Sequence, residues 1–390
     1  MTKRLPTALI RLMSTVCNLS SPKREVARRC VYRRAIFFAI MIYFALAGRL
    51  WADAGSVDGP SIYQPSTNDE IIFRVSSSSA VISSGATVKT PEQHLKAAKQ
   101  ALVLFRETAN PRFLGDAERE LAAIPNHKQS APFYFYRASL RQSLHLFDEA
   151  LADLNKISAM KADNLESRMM RFTISFVSGN YQAAEQACSS LKQYENSLYA
   201  ASCVQQLQAV SGDADAAYQA LKQAMAAAGV LADRQALIWA SGTLADIAER
   251  AGRDDALALW QLALQLNRGD LYTRARLASL LLNQGDYQQV MSLTEDYLAV
   301  DALAVSRAIA QQYLGGNEAL VRILRERFDE ARWRGEILHK RAYAQFLLEI
   351  EQQPQLALLM AEKNWEHQRE WPDAVILSRA KDAANAVQVR

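Results

Sequence analysis

The feature that most constrains the fold is a paired amphipathic pattern in residues 272–298, YTRARLASLLLNQGDYQQVMSLTEDYL. Its first half carries Leu277, Ala278 and Leu281 and its second half Val290, Leu293 and Tyr297, both at the three- and four-residue spacing of one helix face. Between them, Asn283-Gln284-Gly285-Asp286-Tyr287 supplies a glycine that can take the left-handed conformation ending a helix and an aspartate that can cap the next. The stretch predicts a helical hairpin. A single hairpin cannot bury its apolar face, so it requires neighbours of its own kind.

Those neighbours recur along the chain. The residues expected to pack at the start of each second helix are Gly115, Ala150, Ala184, Ala217, Leu257, Val290, Leu320 and Ala357, at steps that scatter around 34 residues. Turn glycines precede most of them, at Gly179, Gly212, Gly252, Gly285 and Gly315-Gly316, and His145 stands in that place ahead of Ala150. Thr90-Pro91-Glu92 marks the first helix start, a capping residue followed by proline at the first helical position. Half of the 390 residues are hydrophobic, enough for a large core, and no strand pattern interrupts the helical one. The expectation is an all-α chain, a right-handed α-solenoid of tandem helix-turn-helix repeats over residues 90–371, with a generic helical array as the alternative. A capping helix over 372–390 would close it, turning Arg379, Lys381, Asp382 and Asn385 outward.

The unit resembles the tetratricopeptide repeat, whose 34-residue hairpin turns on G-x-Y/F-x-x-A ahead of its second helix. The stretches NPRFLGDAERELAAI (110–124), SLRQSLHLFDEALADL (139–154) and NWEHQREWPDA (364–374) are similar to segments of exported bacterial tetratricopeptide-repeat proteins of undefined function. The resemblance implies a concave groove lined by first helices. Its inward positions fall on Phe135, Ser139, Gln142, Met169, Thr173, Gln206, Trp239, Asp246, Tyr272 and Ser279. None is the lysine or asparagine with which such domains grip a C-terminal carboxylate, so that docking mode is disfavoured. For Tyr134, Trp239 and Trp260, packing between repeats is the competing role.

The formal charge of +4 belongs to one end. Residues 1–54 hold ten Lys/Arg and two Asp/Glu; removing them from totals of 45 and 41 leaves 35 basic and 39 acidic residues. A body of that sign offers no basic face for nucleic acid. Residues 35–47, AIFFAIMIYFALA, form a 13-residue apolar run behind Arg33-Arg34 and ahead of Ala52-Asp53-Ala54. That is short for a membrane span and reads as a secretory signal cleaved between Ala54 and Gly55, with an anchor over residues 35–51 as the alternative. The thirty residues ahead of it are long for such a leader and point to a translation start near Val31. Residues 55–89, rich in Ser, Gly and Pro, read as a linker.

Of four cysteines, Cys17 and Cys30 would leave with the leader. Cys188 and Cys203 stand at similar distances from the turn at Glu195-Asn196 on antiparallel helices, so an oxidising compartment would favour a disulfide, with two buried thiols in contact as the alternative. The five histidines are scattered without metal-ligand spacing, and no nucleophile elbow, phosphate loop or zinc-protease motif occurs, so no cofactor and no metal are expected. Carboxylate pairs such as Asp148-Glu149 and Asp254-Asp255 sit where helix starts already account for them. The basic residues between Arg322 and Arg341 alternate with acids and read as a solvated face. The sequence therefore points to a non-enzymatic interaction scaffold, exported to a periplasm-like compartment, binding a protein partner's peptide or helix in the groove. An accessory subunit of a membrane-associated envelope complex is the second reading, touching the membrane only through the apolar segment if it is uncleaved.

Overall fold

A computed structural model describes residues 89–194, 198–229, 233–316, 318–335 and 337–388. The leader, its cleavage position at Ala54 and Gly55, and nearly all of the linker lie outside the described residues. Seventeen α-helices follow one another with no strand among the described residues. They are α1 (Pro91–Thr108), α2 (Arg112–Ala122), α3 (Ala131–Ser143), α4 (Phe147–Ala159), α5 (Leu165–Val177), α6 (Tyr181–Ser189), α7 (Leu198–Ser211), α8 (Ala214–Ala228) and α9 (Arg234–Arg250). After these come α10 (Ala256–Leu266), α11 (Leu271–Asn283), α12 (Tyr287–Leu293), α13 (Asp301–Tyr313), α14 (Glu318–Trp333), α15 (Lys340–Glu349), α16 (Pro354–Trp365) and α17 (Trp371–Gln388). Odd-numbered helices are the first members of eight hairpins, even-numbered ones the second, and α17 stands alone at the end. Broad packing joins only helices adjacent or next-but-one in order. This is an all-α helical repeat fold.

The turns form for the reasons their residues dictate. Gly285 adopts φ +76° and Asp286 caps α12, its carboxylate accepting from the Gln289 amide at 3.1 Å. Asn180 and Asp213 cap α6 and α8 in the same way. His145 takes the left-handed conformation, φ +59°, in the place glycine holds elsewhere. Thr90 opens α1 with a capping box shared with Gln93.

Most second helices then present a small residue for close approach, and α14 presents Leu320. Ala117, Ala150, Ala184, Ala217 and Ala357 have no exposed surface, and Val290 fills the equivalent place. Two positions differ from expectation. Gly115 is exposed and Ala117 packs instead, because the helix begins at Arg112 and sets the inward face two residues later. Leu257 is half-buried, and Ala256 and Trp260 take the core. The second helix expected to reach Tyr297 ends at Leu293. The Thr294 hydroxyl bonds back to the Val290 carbonyl at 2.7 Å, and Glu295-Asp296 would set negative charge on a helix C-terminus. Helix α6 likewise stops at Ser189, tightening into three-residue turns through Leu191 and Tyr194.

The largest side chains fill the seams between hairpins, and their polar tips find partners. Trp260 is buried with its indole N–H donating to Glu249 Oε2 at 2.9 Å, and buried Tyr218 donates to Asp255 at 2.5 Å. Asp153, 2% exposed, receives both Arg137 and Arg141. If the second-helix alanine sets the hairpin spacing, Ala217→Leu will cost about 1–3 kcal/mol in denaturant unfolding by overpacking. Ala216→Leu, on the exposed face of the same turn, will stay within about 0.5 kcal/mol of the parent.

Candidate functional site

The curvature of the array brings one face of four first helices, α9, α11, α13 and α15, together with the terminal α17, around a shared channel with a cavity of about 320 Å³. Helix α11 contributes Tyr272, Arg276, Ser279 and Asn283, the repeat of three and four residues that keeps them on one side. Ser306 comes from α13, Arg341 and Gln345 from α15, and Trp371 and Arg379 from α17, so Arg379, expected to turn outward on the last helix, instead borders the channel.

Charge in the channel is balanced in pairs. Arg276, 5% exposed, donates through Nη2 to Glu249, which also holds the Trp260 indole, while its own Nε is buried without a partner. Arg341 Nη1 reaches Glu370 Oε2 at 3.2 Å and Asp373 Oδ1 at 3.0 Å. Asp373 in turn accepts from Asn364 Nδ2 at 2.8 Å and from the Glu370 amide at 2.9 Å. Arg379 pairs with Glu349. With the guanidinium groups committed, the side chains of Tyr272, Ser279, Asn283, Gln345 and Trp371 are among the described lining residues that make no hydrogen bond of their own. They offer donors and acceptors of the kind a polypeptide matches. Among the described residues, no three His, Cys, Asp or Glu side chains converge to hold a metal ion.

Burial perturbs the acids that face this space. Asp246 on α9 is pushed up to about 6 by desolvation, against the pull of Arg250 at 4.0 Å and of Arg276, with Glu370 and Glu249 adding to the rise. Burial also raises Asp373, opposed by Arg341. The Tyr272 hydroxyl is held well above the usual phenol range, by burial first and then by Glu370 and Asp246. Tyr272 is 37% exposed and lines the channel.

The ten groove positions are distributed along the first helices as follows. Tyr272 and Ser279 line the cavity, and Asp246, 8% exposed, is outside its lining. Met169 and Trp239 pack against the same two core clusters between α5, α7 and α9, where the Trp239 indole N–H has no partner. Ser139 is buried and accepts from Arg106 at 2.7 Å, and Thr173 bonds its own helix at Met169. Phe135, Gln142 and Gln206 are half-buried away from the cavity lining. Sequence reasoning missed Glu249, Arg276, Glu370 and Trp371, and it set Arg341 on a solvated face. The structure corrects that last reading: Arg341 points into the channel, while Arg325, Arg332 and Arg334 do pair with acids on the outside. The one signal available was the spacing of Tyr272, Arg276, Ser279 and Asn283 along α11.

Cys188 on α6 and Cys203 on α7 stand in disulfide geometry, their Cα atoms 5.8 Å apart. The clip joins consecutive hairpins beside Phe172 and Phe176.

The folded chain holds the Asp246 proton more tightly than the unfolded chain, whose aspartate titrates near 3.8. Ionising it therefore weakens the fold as pH rises from about 4 to about 6, and the cost persists above that range. Asp246→Asn will raise stability at pH 7.5 by about 1–3 kcal/mol, and the gain will fade by pH 4. Thermal melts of both proteins across that range measure it.

No protein-family model matches the sequence, and no curated protein matches it. Among solved structures, the chain is similar to a Rap protein complexed with competence and sporulation factor, at 13% identity and a TM-score of 0.46, covering 78% of this chain and 89% of that one. It is similar to yeast Tom70 at 14% identity and a TM-score of 0.42, covering 77% and 66%, and to the P58(IPK) TPR domain at 16% and 0.20, covering 77% and 99%. From its own eight hairpins, their turns and their period, the chain is a TPR-like helical repeat protein.

Proposed function

We propose that this chain is a non-enzymatic interaction scaffold of the cell envelope that binds a peptide or helix of a protein partner against the concave face of its first helices. The observation that carries the reading is the channel face of α11, where Tyr272, Ser279 and Asn283 stand open with their hydrogen bonds unused while the charges around them are paired. Such a surface suits the mixed polar and apolar groups of a polypeptide, and paired charges give no bias toward a free ion. The envelope address rests on the leader pattern and on the Cys188–Cys203 geometry, which an oxidising compartment makes stable. A second reading, an accessory subunit held through its outer helices, is favoured by Trp333 on α14, which is 86% exposed.

Site-specific photo-crosslinking in intact cells separates the two. A crosslinker at Ser279 will capture a discrete protein partner, and one at Glu326, on the outward side of α14, will not. Capture at Glu326 alone sinks the groove reading and supports the outer-face one. In the same cells, trapped under non-reducing conditions, mass spectrometry will find the peptides of Cys188 and Cys203 joined. Two free thiols there would remove the support for export.

A further inference from the structure

Three contacts join parts of the array that are far apart in sequence. The Arg369 amide donates to the Val177 carbonyl at 2.7 Å, and the Arg369 side chain lies on Gly179, where an added Cβ would come within 2.5 Å of Cδ. The Arg250 guanidinium sits 5.1 Å from the centre of the Trp371 ring. The rings of His145 and His339 meet edge to face at 6.2 Å. All three follow one rule. Residues 145, 177–179 and 250 lie at the C-terminal ends of first helices, on one edge of the array, and residues 339 and 369–371 lie at the N-terminal ends of later first helices, on the other. The array winds until one edge meets the opposite edge of a later turn.

The chemistry of the central contact is specific. Val177 is the last residue of α5, and its carbonyl is one of those left without an intrahelical partner, so the Arg369 N–H satisfies it. The cationic side chain of the same residue lies between that helix C-terminus and the end of α16, where its Nε donates to the Trp365 carbonyl at 3.2 Å, and positive charge is favoured at both ends. Gly179, with φ +76°, gives the side chain its room. On the channel side, Trp371 covers Arg250, and Arg250 stands against Asp246, so this part of the inward face of α9 lies behind Trp371 while Glu249 already faces the cavity. These contacts are narrow compared with the hairpin seams, which run between helices adjacent or next-but-one in order. They can part without unpacking any hairpin.

We propose that the turn between α16 and α17, residues 366–370, is a latch: docked on the end of α5 it closes the channel over α9, and a protein segment gains that face only when the latch opens. The proposal rests on the groove reading above for its biological use, and the latch itself is measurable without a partner. Groups around its flank bear on its strength. His145 faces His339, Lys340 and Arg341, with the Leu338 backbone beside it, and burial together with those cations holds its imidazole down at about 4.

The test uses the full chain with three changes, Arg369→Glu, Trp371→Ala and the two combined, and His367→Ala as a neighbour outside the contact. Hydrogen exchange of the parent will show the Arg369 amide protected about tenfold or more over its unstructured rate. The Arg369→Glu and combined variants will lose that protection and gain radius of gyration by small-angle scattering, with unchanged helical circular dichroism, while His367→Ala will match the parent. If the combined variant loses helicity, Arg369→Glu alone gives the reading. An unprotected Arg369 amide in the parent, or a latch variant with the parent's radius of gyration, overturns the proposal. Crosslinking from Ser279 then separates the two ideas. Greater capture in Arg369→Glu, which leaves the channel lining intact, supports both, equal capture in it and the parent removes the gate, and no capture in it once opened defeats the groove reading while leaving the latch standing.

Discussion

Everything in this fold depends on the burial of one helix face that no single hairpin can achieve. The fully buried alanines of the second helices, from Ala117 to Ala357, let backbones approach closely, and the large residues Trp260, Tyr218, Phe172 and Phe346 fill the seams that the approach creates. Apolar burial is worth roughly 25 cal/mol per Å², and here it is gathered almost wholly between neighbours in sequence. The array is therefore stable piece by piece. Its curvature is the sum of many small packing choices, and the channel is a by-product of that sum.

Buried polar groups sharpen what apolar packing leaves loose. Asp153 holds Arg137 and Arg141, and Glu249 holds Arg276 and the Trp260 indole, each joining the two helices of a hairpin or two neighbouring hairpins. Desolvation makes such pairs modest contributors to net stability, but a mispacked neighbour would leave a buried charge alone. Asp246 shows the same principle from the costly side, since its nearest cation is 4.0 Å away and burial lifts its pKa.

The hairpins were legible in the sequence because their causes are local. Gly285 and Asp286 announce a turn within a few residues, and even His145 is betrayed by standing where the pattern wants a left-handed residue. Cys188 and Cys203 were legible for the same reason, since symmetry about one short turn is enough to place them face to face. Small errors of register, as at Leu257 and Gly115, arose where a helix begins one or two residues away from the repeat's usual start. Arg341, Glu370 and Trp371 were not legible. Their neighbours in space, Tyr272 on α11 and Arg250 on α9, are many tens of residues away, and the winding that unites them accumulates over hairpins of unequal length. Arg341 in particular belongs by sequence to an ordinary run of alternating charges, and only the third dimension takes it out of that run.

The Cys188–Cys203 clip has a consequence for how such an array comes apart. A chain of nearest-neighbour units melts as a line of dominoes does, from an end inward, with the boundary between ordered and frayed units free to stop at any junction. The clip straddles one junction, that between α6 and α7, and ties the two sides with a closed loop of fifteen residues, a constraint worth roughly 3 kcal/mol against the opened chain. Fraying from the first hairpin inward meets a barrier there. The half of the protein that carries the channel is thereby insulated from disorder that begins at the first hairpin.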